Sequence, residues 1–206
     1  FIDDGLLYMN TLEYFRTYEE DNIALRADQH EGLSASYCHN KVELRIGDRI
    51  IDGVIGKIDS RPLHVDEFKL YCMTVLTDSD LENGFRLDPR FLHFGSKAIV
   101  IEGAGLQKFI AKLENSIEDN YSLYAPDSSL KSSGVVQYVD RNEHHSALTV
   151  FNKFLEYQWQ HEFRIVLESP SYSGPFKLEI GSLKDLAYVV DTRELLNTEF
   201  SVKSVL

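Results

Sequence analysis

The sequence predicts an α+β domain built mainly from antiparallel sheet, with a few packed helices. Three observations carry that expectation. The 206 residues suit a single domain spanning 1–206, long enough to bury a full core without staples. Hydrophobic residues make up 43%, with 12 Phe, 11 Tyr and 1 Trp, the profile of an ordinary globular chain. Strand-like runs outnumber helical ones, and the last two lie about five residues apart, too close for the crossover that a parallel pair needs.

Along the chain, Leu6-Leu7-Tyr8-Met9 is a short apolar strand, and Asn10 after it can cap a helix over Thr11–Arg16. Thr17 to Gly32 is charged and aperiodic, a loop of about 15 residues, and loops of that length in small domains tend to carry function. Lys41–Ile46 alternates polar and apolar residues, and Gly47-Asp48 supplies a turn into Arg49-Ile50-Ile51, so a hairpin is expected. Phe68–Leu76 is apolar enough for a central strand covered on both faces, and Lys97–Ile101 is another strand.

Leu106, Phe109, Ile110, Leu113 and Ile117 recur at helical spacing between Gly105 and Asn120 and define an amphipathic helix. Gly134–Val139, Phe163–Leu167, Phe176–Ile180 and Leu186–Val190 read as strands, and Leu148–Tyr157 as a helix between two of them. No repeat, low-complexity tract or linker divides the chain.

Composition excludes several classes of function. A net charge of −12 repels phosphate backbones, which argues against broad nucleic-acid binding and leaves room for a protein partner. Cys38 and Cys72 lie far apart and match no metal or disulfide spacing, so reduced thiols and a cytoplasmic location are expected. No apolar run approaches the roughly 20 residues of a membrane span. The chain opens on Phe1-Ile2 without a Met, so a segment before residue 1 is expected.

The sharpest constellation is Tyr157-Gln158-Trp159-Gln160-His161-Glu162-Phe163-Arg164, where a helix is expected to give way to a strand. Alternation in a strand would put Gln160 and Glu162 on one face, an amide beside a carboxylate at a strand mouth. Such a pair suits transfer from a nicotinamide dinucleotide: the carboxylate stabilises the oxocarbenium-like ribose and the amide positions an acceptor. In the opening segment, Tyr14 and Phe15 can stack on a nicotinamide or adenine ring, and Arg26 can hold a diphosphate bidentately. A purely structural alternative stands beside this: Glu162 pairs with a nearby Lys or Arg, the aromatics are core, and Arg26 pairs with Asp28.

His144, His145, His161 and Glu162 lack the spacing of a metal site, so no metal is expected. The sequence also lacks P-loop, dinucleotide-fold and nucleophile-elbow motifs.

The blocks Leu7-Tyr8-x-Asn10-x-Leu12-x-Tyr14-Phe15, Asp28-x-x-Glu31 and Tyr157-x-x-x-x-Glu162-x-Arg164 resemble those of a widespread group of bacterial proteins, some linked to phage defence. The last block is also similar to the Gln-x-Glu turn of ADP-ribosyltransferase toxins. That resemblance implies an ADP-ribosyltransferase-like fold, NAD as co-substrate, Glu162 as catalytic carboxylate and Gln160 as its companion. It further implies that Tyr8, Asn10, Tyr14, Phe15, Arg26 and Arg164 hold the dinucleotide, that the acceptor is a macromolecule, and that an antitoxin-like partner exists. The chain departs from those transferases in lacking a Ser-Thr-Ser or paired-Tyr middle element, for which Tyr71-Cys72-Met73-Thr74 is the nearest stand-in. A catalytically silent binding module of a defence system and a metal-assisted nuclease or hydrolase are the other two readings.

Overall fold

A computed structural model describes residues 1–17, 28–82, 84–120, 133–168 and 173–202. The described strands are β1 (Leu6–Thr11), β2 (Ala35–Cys38), β3 (Arg45–Ile46), β4 (Arg49–Ile50), β5 (Lys57–Ser60), β6 (Lys69–Thr74) and β7 (Lys97–Ile101). They continue with β8 (Ser133–Val135), β9 (Gln137–Val139), β10 (Ser146–Ala147), β11 (Asn152–Phe154), β12 (Glu162–Leu167), β13 (Phe176–Glu179) and β14 (Ala187–Asp191). The described α-helices are α1 (Leu12–Thr17), α2 (Asp78–Leu81), α3 (Gly103–Glu118) and α4 (Thr192–Asn197). Among these residues the fold is mixed α+β with several antiparallel sheets and few helices, as the sequence predicts.

The central sheet has the order β13-β1-β6-β12-β8, and every neighbouring pair in it is antiparallel. Smaller sheets surround it: β10-β2-β5, the ribbon β14-β7 and the hairpin β3-β4. One pair, β11 with β9, is parallel.

Strand alternation sorts the core into two layers. Ile165 and Leu167 of β12 join Leu7 and Met9 of β1 beneath Phe109 and Leu113 of α3, all fully buried. Val166 points the other way and packs with Leu12, Val65, Phe68, Leu70 and Val150. β12 is therefore covered on both sides. The amphipathic period of α3 explains its seat: Phe109 and Leu113 face the sheet, Ile110 and Ile117 flank them, and Leu106 stays exposed.

Several local expectations are corrected. Asn10 continues β1 and does not cap α1; Thr11 does, its hydroxyl accepting from the Tyr14 amide at 3.1 Å. The expected helix over Leu148–Tyr157 does not form. There the Asn152 side chain accepts from the Thr149 amide at 2.8 Å and the Thr149 hydroxyl accepts from the Phe151 amide at 3.2 Å, local bonds that compete with a helix. The segment becomes β11 and then a 3-10 helix, Leu155–Gln160.

The run Gly134–Val139 splits at buried Val136 into β8 and β9, on different sheets. The β3–β4 hairpin forms where expected, but its strands are two residues each and exposed.

Candidate functional site

The mouth of β12 is set by His161. Its φ of 43° and ψ of 52° are left-handed, an uncommon conformation outside glycine, in which His is enriched. It ends the 3-10 helix: its amide returns to the Gln158 carbonyl, its carbonyl accepts from the Val75 amide, and its ring lies 3.3 Å from Asp80. Gln160 therefore belongs to the 3-10 turn and only Glu162 to the strand, so the expected shared strand face is corrected. The two side chains meet through a third residue. Lys153 Nζ, on β11, donates to Gln160 Oε1 at 3.0 Å and stands 2.8 Å from Glu162 Oε2.

Behind this contact lies a buried charge network. Arg164 makes a fork of two 2.7 Å bonds to the Glu31 carboxyl, meets Glu162 Oε1 at 2.5 Å, and donates to the Val150 carbonyl. Lys153 also lies 3.7 Å from Glu31. Asp28 is buried beside them and accepts from the His30 amide at 2.9 Å. Among the described residues the cluster counts three carboxyl groups, Asp28, Glu31 and Glu162, and two cations, Lys153 and Arg164.

The environment tunes these groups unequally. Burial opposes ionisation of Glu162, yet Arg164 and Lys153 hold its carboxyl well below the usual carboxylate range. Burial also works against the charge on Lys153, but Glu162 and Glu31 hold its ammonium well above the usual lysine range. For Asp28, burial and then Glu31 push the carboxyl up to about 7, with Lys153 pulling the other way. The sequence-based alternative in which Glu162 pairs with a nearby Lys or Arg thus describes its contacts.

Glu162 and Gln160 line a cavity of about 480 Å³, within the range of small-molecule sites. The opening segment supplies Tyr8, Asn10, Tyr14 and Phe15 to its wall, and β6 supplies Leu70 through Thr74. Sequence segments some 130 residues apart or more therefore share one cleft, as Asn10 and Gln160 illustrate. Leu87, Phe91, Phe94, Lys97, Thr192 and Leu195 also line it. Phe94 is stacked on Trp159 at 5.8 Å between centroids, and the Arg90 guanidinium lies 4.2 Å from the Trp159 ring, a layered wall.

Cys72 is exposed and lines this cavity; desolvation by the surrounding protein, and then Glu162, push its thiol above its ordinary value. The Tyr71-Cys72-Met73-Thr74 segment thus lies along the cavity wall.

Of the residues expected to hold a dinucleotide, Tyr8, Asn10, Tyr14 and Phe15 line the cavity together with Glu162 and Gln160. Arg164 does not line it: it sits behind the wall, committed to Glu31 and Glu162. Arg26 lies outside the described residues. Lys153 was invisible to sequence reasoning, because a single Lys on a three-residue strand carries no pattern. Phe91 and Phe94 left a faint trace, two aromatics three apart after Pro89, in a segment that reads as neither strand nor long helix.

Among the described residues no group of three or more His, Cys, Asp or Glu is arranged to hold a metal ion, and no helix is long and apolar enough to cross a membrane. Comparison with protein families, with curated proteins and with solved structures finds no match.

Proposed function

We propose that the chain binds a nicotinamide dinucleotide in the aromatic cavity and transfers its ADP-ribosyl group to a macromolecule, as a toxin or defence effector. One observation carries the reading: Glu162 and Gln160 line the same cavity as Tyr8, Asn10, Tyr14 and Phe15. In this reading the bond between the ribose and the nicotinamide nitrogen breaks, its electron pair leaving with nicotinamide. The acceptor's lone pair forms the new bond to the ribose carbon, and the acceptor's proton passes to water. An ionised Glu162 opposes the positive charge that develops on the ribose.

A second reading is favoured by a different observation. Both Glu162 oxygens are already engaged, one by Arg164 and one by Lys153. A carboxylate so committed has less charge to lend a transition state, which suits a binding module without turnover. Labelled dinucleotide, incubated with the purified chain and cell extract, separates the two. Transfer predicts label on protein or nucleic acid that Glu162→Gln reduces by about 10²–10³ in turnover, normalised to folded protein. Binding measured by calorimetry without label supports the silent module, and equal label with wild type and Glu162→Gln would sink the catalytic role of Glu162.

A further inference from the structure

Of the two cysteines, Cys72 lines the cavity and Cys38 does not. Cys38 ends β2 and stands directly opposite Lys57, the first residue of β5, in the antiparallel pair that these strands form. Residues so paired bring their Cβ atoms to about 5 Å. Here the Lys57 ammonium reaches the sulfur itself, 3.3 Å from Nζ to Sγ.

The pair is held from the neighbouring segment as well. Lys57 also donates to the His144 carbonyl, and the Cys38 amide donates to His145 Nδ1 at 3.0 Å. The Asn142 and His144 carbonyls each lie 3.9 Å from the sulfur. Among the described residues Lys57 has no carboxylate partner, so a thiol and a carbonyl alone hold its ammonium. Both Cys38 and Lys57 are half-buried, so neither is closed to a small solute.

A peroxide oxidises a thiol to a sulfenic acid, whose sulfur condenses with a nucleophile beside it and otherwise passes to the irreversible sulfinic acid. An amine that has given up its extra proton is such a nucleophile. We infer that Cys38 and Lys57 form a reversible sulfur–nitrogen link when the chain meets hydrogen peroxide. In the first step the Cys38 sulfur takes one peroxide oxygen and the O–O bond breaks. The other oxygen leaves as water, so sulfur is oxidised by two electrons and the peroxide is reduced. Lys57 then gives one ammonium proton to solvent, and its freed lone pair attacks the sulfur. The N–S bond forms, the S–O bond breaks, and the departing hydroxyl takes a second nitrogen proton and leaves as water. The link removes the Lys57 charge, fastens β2 to β5 and keeps the sulfur short of the sulfinic acid. A thiol reductant reopens it by attacking the sulfur and releasing the amine.

Hydrogen peroxide added to the intact chain, followed by peptide mapping without reductant, tests this. The peptides holding Cys38 and Lys57 are expected to appear joined, about 2 Da lighter than their sum, and to separate on adding dithiothreitol. Lys57→Arg keeps the charge but offers a poor nucleophile, so the joined peptide is lost and Cys38 passes to its sulfinic acid. Wild type treated in urea is expected to lose the link by about fivefold or more, because the strands no longer hold the two atoms together. That reading does not depend on how the variant folds. In folded wild type, a Cys38 sulfinic acid with unmodified Lys57, a disulfide between Cys38 and Cys72, or a joined pair one oxygen heavier each overturns the inference, as does a Cys38 that stays reduced.

Discussion

Glu31 and Arg164, 133 residues apart, are joined by two parallel hydrogen bonds of 2.7 Å each, with both side chains almost wholly buried. This fork ties the turn at 28–32 to the central strand β12 and fixes the guanidinium that holds Glu162. Burying two charges gains little over an apolar pair, but removing one partner strands the other.

Glu31→Gln is therefore expected to destabilise the fold by about 3–5 kcal/mol, since Arg164 would keep its burial and lose a bidentate partner. Denaturant melts measure this directly. A loss under about 1 kcal/mol would show that water or another group satisfies Arg164 when Glu31 is gone.

Asp28 gives the fold a pH dependence whose sign can be worked out. Its carboxyl, ordinarily at 3.8, stands at about 7 in the folded chain, so the folded state binds more protons between those values. Stability then falls as pH rises from about 4 to about 7, the penalty being absent below that window and complete above it. Glu162 behaves oppositely: its depressed carboxyl contributes stability that is complete above its ordinary value of 4.5 and lost only in stronger acid. Between about pH 5 and 7 Asp28 therefore contributes a falling slope. His30 opposes it, since burial and then Arg141 hold its imidazole below its ordinary value. Asp28→Asn should remove the falling part and stabilise the chain at pH 8. Melts across a pH series that show the same slope in wild type and variant would remove Asp28 as its source.

Phe109 is fully buried in the middle of α3, against Leu7, Met9 and Leu167 of the sheet. Phe109→Ala is expected to cost about 3–5 kcal/mol through lost transfer energy and the cavity left behind. Leu106→Ala, on the same helix but 38% exposed, should cost under about 1 kcal/mol. Equal costs at the two positions would mean that the amphipathic face is not the one assigned.

These residues also show which parts of the molecule its sequence discloses. α3 was legible because sixteen residues repeat one period and bury one stripe. The convergence of Tyr8 and Tyr14 with Glu162 could be expected from strand mouths alone. The helix expected over Leu148–Tyr157 failed because Thr149 and Asn152 bond the local backbone, a competition that periodicity does not register. The link between Gln160 and Glu162 was misassigned because alternation assumes extended backbone, and His161 is left-handed. The part of the lining contributed by Leu87, Phe91, Phe94, Lys97, Thr192 and Leu195 depends on tertiary packing that no local pattern encodes.

Lys153 is the test of whether the buried network acts as a unit. It touches Glu162, Gln160 and Glu31, and its charge is one of the influences that lower the Asp28 carboxyl. Lys153→Met keeps much of the length and removes that charge. With Lys153 gone the cluster holds three carboxyl groups against Arg164 alone, so the Asp28 carboxyl should rise above about 7 and its pH window should move upward with it. Lys153→Arg keeps the charge and should leave the window near its wild-type place, although the planar head does not reproduce the three contacts. Carboxyl-carbon NMR titration of Asp28 in the three proteins reads the shift without reference to activity. A Lys153→Met midpoint at or below the wild-type value would mean that Asp28 titrates independently of the groups around Glu162, and the network would have to be treated as two separate sites.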